Sequence, residues 1–261
     1  MARIAVEGIS MVFESQGAAR EVLRDVSFEV ADGEFVTIVG PSGCGKTTVL
    51  NLVAGLLAPT HGTIAVGGAP ITGPGPARAV VFQDAALLPW RSVLRNVELG
   101  LEMQHRYAKP EIRARARQYL ELVGLQDYAG DYPHQLSGGM RQRVNLARAL
   151  IAEPDVLLMD EPFAALDAHT RETMGYELLR IWQQSRKTVV FVTHSADEAI
   201  ILSDRIVVMG RAPGRIIEDL KVALPRPRSV EIRGLPRFAE LSLEIRGLLA
   251  RASGADAGRA S

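Results

Sequence analysis

Apolar and polar positions along the chain follow two periods in turn, and the elements they predict succeed one another as strand, helix and strand. Residues Ile4 to Phe13 and Val22 to Val30 are rich in β-branched and apolar side chains. They flank the Gly/Ser/Gln/Ala stretch Glu14 to Ala19, the pattern of a hairpin or of two neighbouring strands. Asp32-Gly33 turns the chain into a strand over Phe35 to Val39, and helical spacing predicts a helix over Thr48 to Leu57. A turn at Pro59-Thr60-His61-Gly62, a short strand Thr63 to Val66, an irregular loop Gly67 to Pro76 and a strand Ala79 to Phe82 come next. Helical spacing returns over Val93 to Gln104 and Glu111 to Val123, and again after Ser137, where Val144, Leu146, Ala147 and Leu150 mark one apolar face.

Val156-Leu157-Leu158-Met159 is a continuous apolar run, as in a strand buried on both faces. A helix Ala168 to Gln184, a buried strand Thr188 to Val192, a short helix Ala196 to Leu202 and a strand Arg205 to Met209 follow, with one more strand expected within Pro213 to Leu220. This alternation predicts an α/β fold with a mostly parallel sheet and ligand at the carboxyl ends of its strands. Pro225-Arg226-Pro227-Arg228 breaks the pattern, Pro236 to Leu249 is helical again, and the Gly/Ala/Ser-rich Ala252 to Ser261 is expected to fray. There is no internal repeat and no sign of a second large domain.

Composition narrows the class. The 261 residues, 47% hydrophobic, suffice for a sizeable core. Lys+Arg and Asp+Glu number 30 each, so no overall electrostatic footprint for nucleic acid or an acidic membrane face exists. The Arg-rich face Arg113, Arg115 and Arg117 reads as solvated, with nucleic-acid contact the lesser alternative. The only cysteine, Cys44, excludes an internal disulfide and suits a reducing compartment; it reads as a small loop residue, with redox sensing the alternative. The N-terminal residues enter a strand pattern without a signal-peptide core, and no stretch reaches the ~20 apolar residues of a membrane span. The expectation is a soluble cytoplasmic chain that reaches a membrane only through a partner.

The chemistry centres on Gly40-Pro41-Ser42-Gly43-Cys44-Gly45-Lys46-Thr47, with Thr48 following, between the strand Phe35 to Val39 and a helix. Glycines let the backbone curl until several N–H groups face one anion, and the helix adds the positive end of its dipole. Lys46 is expected to reach the β- and γ-phosphates of a nucleotide and the Thr47 hydroxyl to hold Mg²⁺. A second anion site is expected where Ser137 has the chemistry of an N-cap and Gly138 and Gly139 leave N–H groups uncovered. Asp160 and Glu161 end the buried strand, where Mg²⁺ and an attacking water would be managed.

The phosphate loop, Gln83, Leu136 to Gln142, Asp160-Glu161, Ala165-Leu166-Asp167 and His194 resemble, in order and rough spacing, the motifs of ABC-type ATPases, over Ile4 to Leu220. The resemblance implies an α/β core with an N-terminal antiparallel β subdomain and an inserted α-helical subdomain over roughly Asp84 to Gln135 plus the helix from 137. The ATPase domain would span 1–224 and a short extension 225–261. It also implies roles: Phe13 stacks on adenine, Gln83 senses Mg²⁺ and the attacking water, Asp160 supports the metal, Glu161 is the general base and His194 contacts the γ-phosphate. Read without the family, Phe13 is a packing residue and His194 a structural one. Ser137-Gly138-Gly139 would read the nucleotide of a second subunit arranged head to tail, with Asp167 in the loop that communicates across that interface. Met140 stands where many relatives have Gln, and Ser195 where Asp commonly follows the His.

Leu87-Leu88-Pro89-Trp90-Arg91, Asn96-Val97 and Leu224-Pro225-Arg226-Pro227-Arg228 resemble the ATPase subunits of bacterial importers for nitrate, sulfonates, taurine and related nutrients. That implies a homodimer, using ATP and Mg²⁺, peripheral on the cytoplasmic face of the inner membrane. Two permease subunits would be contacted through the segment after Gln83, and a periplasmic or lipid-anchored solute-binding protein would act indirectly. Trp90 is expected either to face that partner or to fill the helical subdomain's own core. Rival readings are a soluble ABC ATPase acting on nucleic acid or ribosomes, which the single cassette without a long coiled-coil insertion disfavours, and a subunit that binds ATP without turnover, which Lys46, Asp160, Glu161 and His194 disfavour.

Overall fold

The structure, a computed structural model, describes residues 2–15, 18–164, 166–211 and 213–253. Residues 16 and 17 of the expected turn, Ala165 of the interface loop and the end of the expected frayed tail lie outside the described residues. The chain forms two compact units, Met1–Pro74 with Arg186–Ser261, and Gly75–Ser185.

The first unit opens with β1 (Ile4–Ser15), β2 (Ala18–Val30), β3 (Phe35–Val39), α1 (Lys46–Ala54), β4 (His61–Val66) and β5 (Ala69–Pro70). The second carries β6 (Arg78–Val81), α2 (Val93–Glu102), α3 (Lys109–Leu122), α4 (Gly138–Leu150), β7 (Val156–Asp160) and α5 (Ala168–Ser185). The chain then adds β8 (Thr188–Thr193), α6 (Ala196–Leu202), β9 (Arg205–Met209), β10 (Ile216–Lys221) and α7 (Pro236–Ala252) to the first unit.

In the first unit an antiparallel sheet runs in the order β2-β1-β4-β5, and β3 lies parallel between β8 and β9, with β10 antiparallel beyond β9. Every residue of β3 and β8 is buried, which is why both read as unbroken apolar runs rather than alternating ones. Phe35 and Phe191 meet at 6.1 Å between ring centroids in this layer. In the second unit β6 and β7 pair in parallel, Arg78 opposite Val156 through Val81 opposite Met159, and α2, α3 and α4 pack on one another. No helix among the described residues is long and apolar enough to cross a membrane.

Boundaries differ from expectation where backbone chemistry overrides periodicity. Helix α1 begins at Lys46, because the phosphate loop itself leads into its first turn, and ends at Ala54 rather than Leu57. Gly55 adopts φ 78° and donates its N–H to Leu52 O, closing the helix in the left-handed cap that glycine adopts at no steric cost. His61 and Gly62, expected in a turn, belong to β4. Gly62 sits at φ 87° where a Cβ would lie 2.5 Å from the carbonyl oxygens of Glu7 and Gly8, so its missing side chain admits the close approach of β1. The last strand starts at Ile216 rather than at Pro213, because Pro213 has no N–H to donate and that of Gly214 goes to Val22 O instead of to a neighbouring β9 residue.

Candidate nucleotide site

In the first unit β3 and β8 end in register, Val39 opposite Thr193, so the Gly40 loop and His194 leave the sheet at the same edge. Gly43 at φ 78° and Gly45 at φ 99° take the left-handed conformations that curl the loop. A Cβ on Gly45 would also come within 2.5 Å of Leu23 Cδ2. The N-terminus of α1 receives no side-chain cap and has no acidic residue in its first turn, so its N–H groups and dipole remain available to an anion. Lys46 is only 6% exposed, and its Nζ donates to Gly40 O at 2.9 Å and Pro41 O at 3.2 Å. Its positive charge is thus folded into the loop itself. Thr47 and Ser42 are exposed, and Pro41 and Thr48 are half-buried.

Cys44 is fully buried, and burial pushes its thiol pKa up despite the neighbouring Lys46. A buried thiol of raised pKa is a poor nucleophile, so the redox alternative loses its physical basis and the small-residue reading stands. Packing also identifies a residue that sequence reading missed. Gly214 donates its N–H to Val22 O and accepts from Arg24 N–H, and a Cβ there would lie 2.0 Å from Cys44 O. It backs the phosphate loop from outside the motif; Pro213-Gly214 looks in sequence like any turn.

His194 is exposed just after β8. Ser195 caps α6, its Oγ accepting Glu198 N–H at 3.3 Å, while Thr193 Oγ1 donates to the Glu198 carboxylate at 2.6 Å. The departure from Asp at this position therefore keeps the capping chemistry, for Ser serves an N-cap as well as Asp does. Phe13 lies near the end of β1, opposite Arg20 and 37% exposed, with more ring surface in solvent than a core residue would show.

In the second unit the register of β6 and β7 brings the segment after Val81 and the carboxylates after Met159 to one edge. Asp160 is buried, and Glu161 is half-buried at φ 42°, a left-handed conformation that costs a non-glycine residue about 1 kcal/mol or more. A cavity of about 510 Å³ is lined by Gln83, Asp84, Gly138, Arg141, Gln142 and Asp160 among others, so Gln83, Asp160 and the start of α4 share one space. Ser137 is the expected cap: its Oγ accepts Met140 N–H at 3.3 Å. Met140 thus contributes its backbone N–H to this cap, a role that does not depend on its side chain. Gly139 is close-packed, a Cβ falling 3.1 Å from Thr170, and Asp167 accepts Thr170 N–H, which holds its carboxyl below the usual range.

The segment after β6 is fastened by side chains to its backbone carbonyls. From α4, Gln142 donates to Gln83 O at 2.5 Å, Asn145 to Phe82 O, and Arg148 to Ala85 O and Ala86 O. From α2, the fully buried Asn96 accepts Leu88 N–H and donates to the carbonyls of Leu88, Arg91 and Ser92. Between these anchors Trp90 is 73% exposed, which excludes the reading that it fills the helical core. The Arg-rich face of α3 is only partly free: Arg115 pairs with Glu111 and Glu153 and lies over the Tyr107 ring at 4.5 Å.

A protein-family model described as ABC transporter matches residues 23–164. The chain is 50% identical over 226 residues to an uncharacterized ABC transporter ATP-binding protein of Methanocaldococcus jannaschii, covering 87% of this chain and 84% of that protein. It is 51% identical over 246 residues to the taurine import ATP-binding protein TauB of Pseudomonas aeruginosa, covering 92% and 93%. Among solved structures, the ATP-binding cassette MJ0796, dimeric in a post-hydrolysis state with ADP and Pi, is similar at a TM-score of 0.75 and 32% identity, over 85% of this chain and 100% of that one.

Gly214→Ala is expected to push the phosphate loop out of shape and lower nucleotide affinity by more than about tenfold, on the scale of 1.4 kcal/mol per decade. Isothermal titration with ATP checks this; unchanged affinity with unchanged thermal stability would contradict the buttressing role.

Proposed function

Because the chain belongs to the ABC transporter family of ATP-binding cassettes and is an ATPase of that kind, we propose that it is the ATP-hydrolysing subunit of an importer for a small anion of the nitrate, sulfonate or taurine kind. It works as a head-to-tail homodimer on the cytoplasmic face of the membrane, beneath two permease subunits served by a solute-binding protein. The observation that carries the nucleotide half of this reading is the curled loop around buried Lys46, with an uncapped helix N-terminus behind it. Support for the transport half comes from the importer name of the TauB relative and from Trp90, held outward by Asn96 and well suited to anchor a partner.

The reaction is attack of water on the γ-phosphate in line with the departing ADP. Lys46 and the loop N–H groups hold the phosphates, Phe13 offers a ring face to adenine, and His194 contacts the γ-phosphate. Glu161 takes or orients the proton of the attacking water, and Gln83 helps to place that water. The candidate metal donors, the Thr47 hydroxyl, the Gln83 amide oxygen and the Asp160 carboxylate, are all hard oxygens, which fits Mg²⁺. When bound, Mg²⁺ would neutralise charge on the β- and γ-oxygens. Ser137, Gly138 and Gly139 serve the opposite subunit's γ-phosphate through the N-terminus of α4. ATP binds the closed dimer better than the open one, and that difference is what drives the permeases.

Two outcomes test this reading. Glu161→Gln should bind ATP yet lose about a hundredfold or more of its hydrolysis, as removal of a general base predicts. On a sizing column Mg·ATP, but not Mg·ADP, should then hold it as a dimer, and adding Ser137→Arg should abolish that dimer while ATP still binds. A double variant that dimerises as readily as Glu161→Gln alone would contradict the head-to-tail site. Trp90→Ala should leave the isolated subunit's melting temperature unchanged but weaken assembly with its permease by about tenfold or more, as loss of an interface aromatic does. A large drop in thermal stability with assembly unaffected would refute the docking role.

A further inference from the structure

Residues 224–252 have no task in the reading above, although they hold two arginines anchored on backbone carbonyls of the first unit. Arg228 is 5% exposed and donates to the carbonyls of Ile200 (2.9 Å), Ile201 (3.1 Å), Ser203 (2.6 Å) and Leu224 (3.4 Å). The first three lie at the C-terminal end of α6, where a helix leaves carbonyls without intrahelical partners and carries the negative end of its dipole. Burial, with Arg226 nearby, draws the Arg228 pKa down to about 10. Arg226 donates to Leu202 O and, through Nε, to Asp204 Oδ1, both at 2.7 Å. Asp204 in turn accepts the N–H of Phe35, the first residue of the strand that leads to the phosphate loop.

The other end of α6 is held from α7. Asp197, in the first turn of α6, accepts from Ser242 Oγ at 3.0 Å and Arg246 Nη2 at 3.4 Å. Helix α7 is secured by its buried stripe Phe238, Leu241, Ile245 and Leu248. A helix of seven residues is marginal by itself, so its position is set by what holds it: its buried face, Ala199, Ile200 and Leu202 among it, packs against β3 and β8, and the polar contacts fix its two ends. Its N-cap, Ser195, directly follows His194.

We infer that residues 224–252 form a brace that positions His194. Arg226 and Arg228 fasten the C-terminal carbonyls of α6, Ser242 and Arg246 fasten its first turn, and the helix so fixed sets where His194 stands. The inference rests on the reading of His194 as the γ-phosphate contact. Arg226 and Arg228 are positioning residues that touch no nucleotide.

The test is a set of full-length variants assayed for steady-state ATP hydrolysis, ATP affinity and melting temperature. Arg228→Met should lower kcat about tenfold and the Ser242→Ala/Arg246→Ala pair about threefold, within the range that ångström-scale misplacement costs, with ATP affinity held to about twofold. Arg228→Lys should recover part of the loss. Placed on His194→Ala, neither change should lower kcat further. Should Arg228→Met fail to fold, the Ser242/Arg246 pair, which removes only contacts at the helix surface, carries the test. Wild-type kcat in the folded brace variants, or losses that add to that of His194→Ala, would overturn the brace while leaving the role of His194 standing. Wild-type turnover of His194→Ala itself would overturn the role of His194, and with it a brace acting through that residue.

Discussion

The site depends first on where one ammonium group is kept. Burying a cation is costly unless its charge is met, and Lys46 meets its own with two carbonyls of the loop that precedes it. Carbonyl dipoles compensate only part of a full charge. The same side chain that holds the loop together therefore favours an anion arriving in front of it. The uncapped N-terminus of α1 acts in the same direction, and the left-handed glycines allow the two to converge. A shorter or neutral residue at this position would lose the loop's internal tie as well as the ligand's counter-charge.

Strand register then determines which loops can work together within each unit. Val39 stands opposite Thr193, so phosphate loop and His194 emerge side by side; Val81 stands opposite Met159, so the Gln83 segment and the Asp160-Glu161 pair do the same. Loops lack a ladder to satisfy their backbone, and here side chains supply the missing bonds. Asn96 and the Gln142, Asn145 and Arg148 face of α4 do so for residues 82–92, and Gly214 packs against the phosphate loop. The two motifs that departed from the family pattern follow the same logic, because Met140 acts through its N–H and Ser195 through a cap that Asp would make equally well.

Most of the fold was legible because β3, β7 and β8 are fully buried strands whose continuous apolar runs leave little ambiguity once a phosphate loop follows the first of them. The Ser137 cap was legible too, since its chemistry is local. Most of what could not be read depends on contacts between residues distant in sequence; one exception is local. The end of α1 was set by Gly55 rather than by apolar spacing. Apolar spacing does not say that Trp90 is exposed, on a segment that Asn96 ties down through carbonyls on either side of it. Gly214 matters only because Cys44 O lies against it, and Arg228 only because the chain brings it back to the end of α6. The roles of Phe13, Gln83, Glu161 and His194 came from family resemblance, and their positions at strand ends are compatible with those roles.

On the proposed reading the phosphate cradle around Lys46, rather than the adenine contact, supplies most of the recognition. Competition of inorganic tripolyphosphate and of adenosine against a fluorescent ATP analogue, with Mg²⁺ present, measures this directly. Tripolyphosphate is expected to displace the analogue and adenosine is not, and Lys46→Met is expected to remove the competition by tripolyphosphate. Displacement by adenosine with tripolyphosphate inert would contradict it.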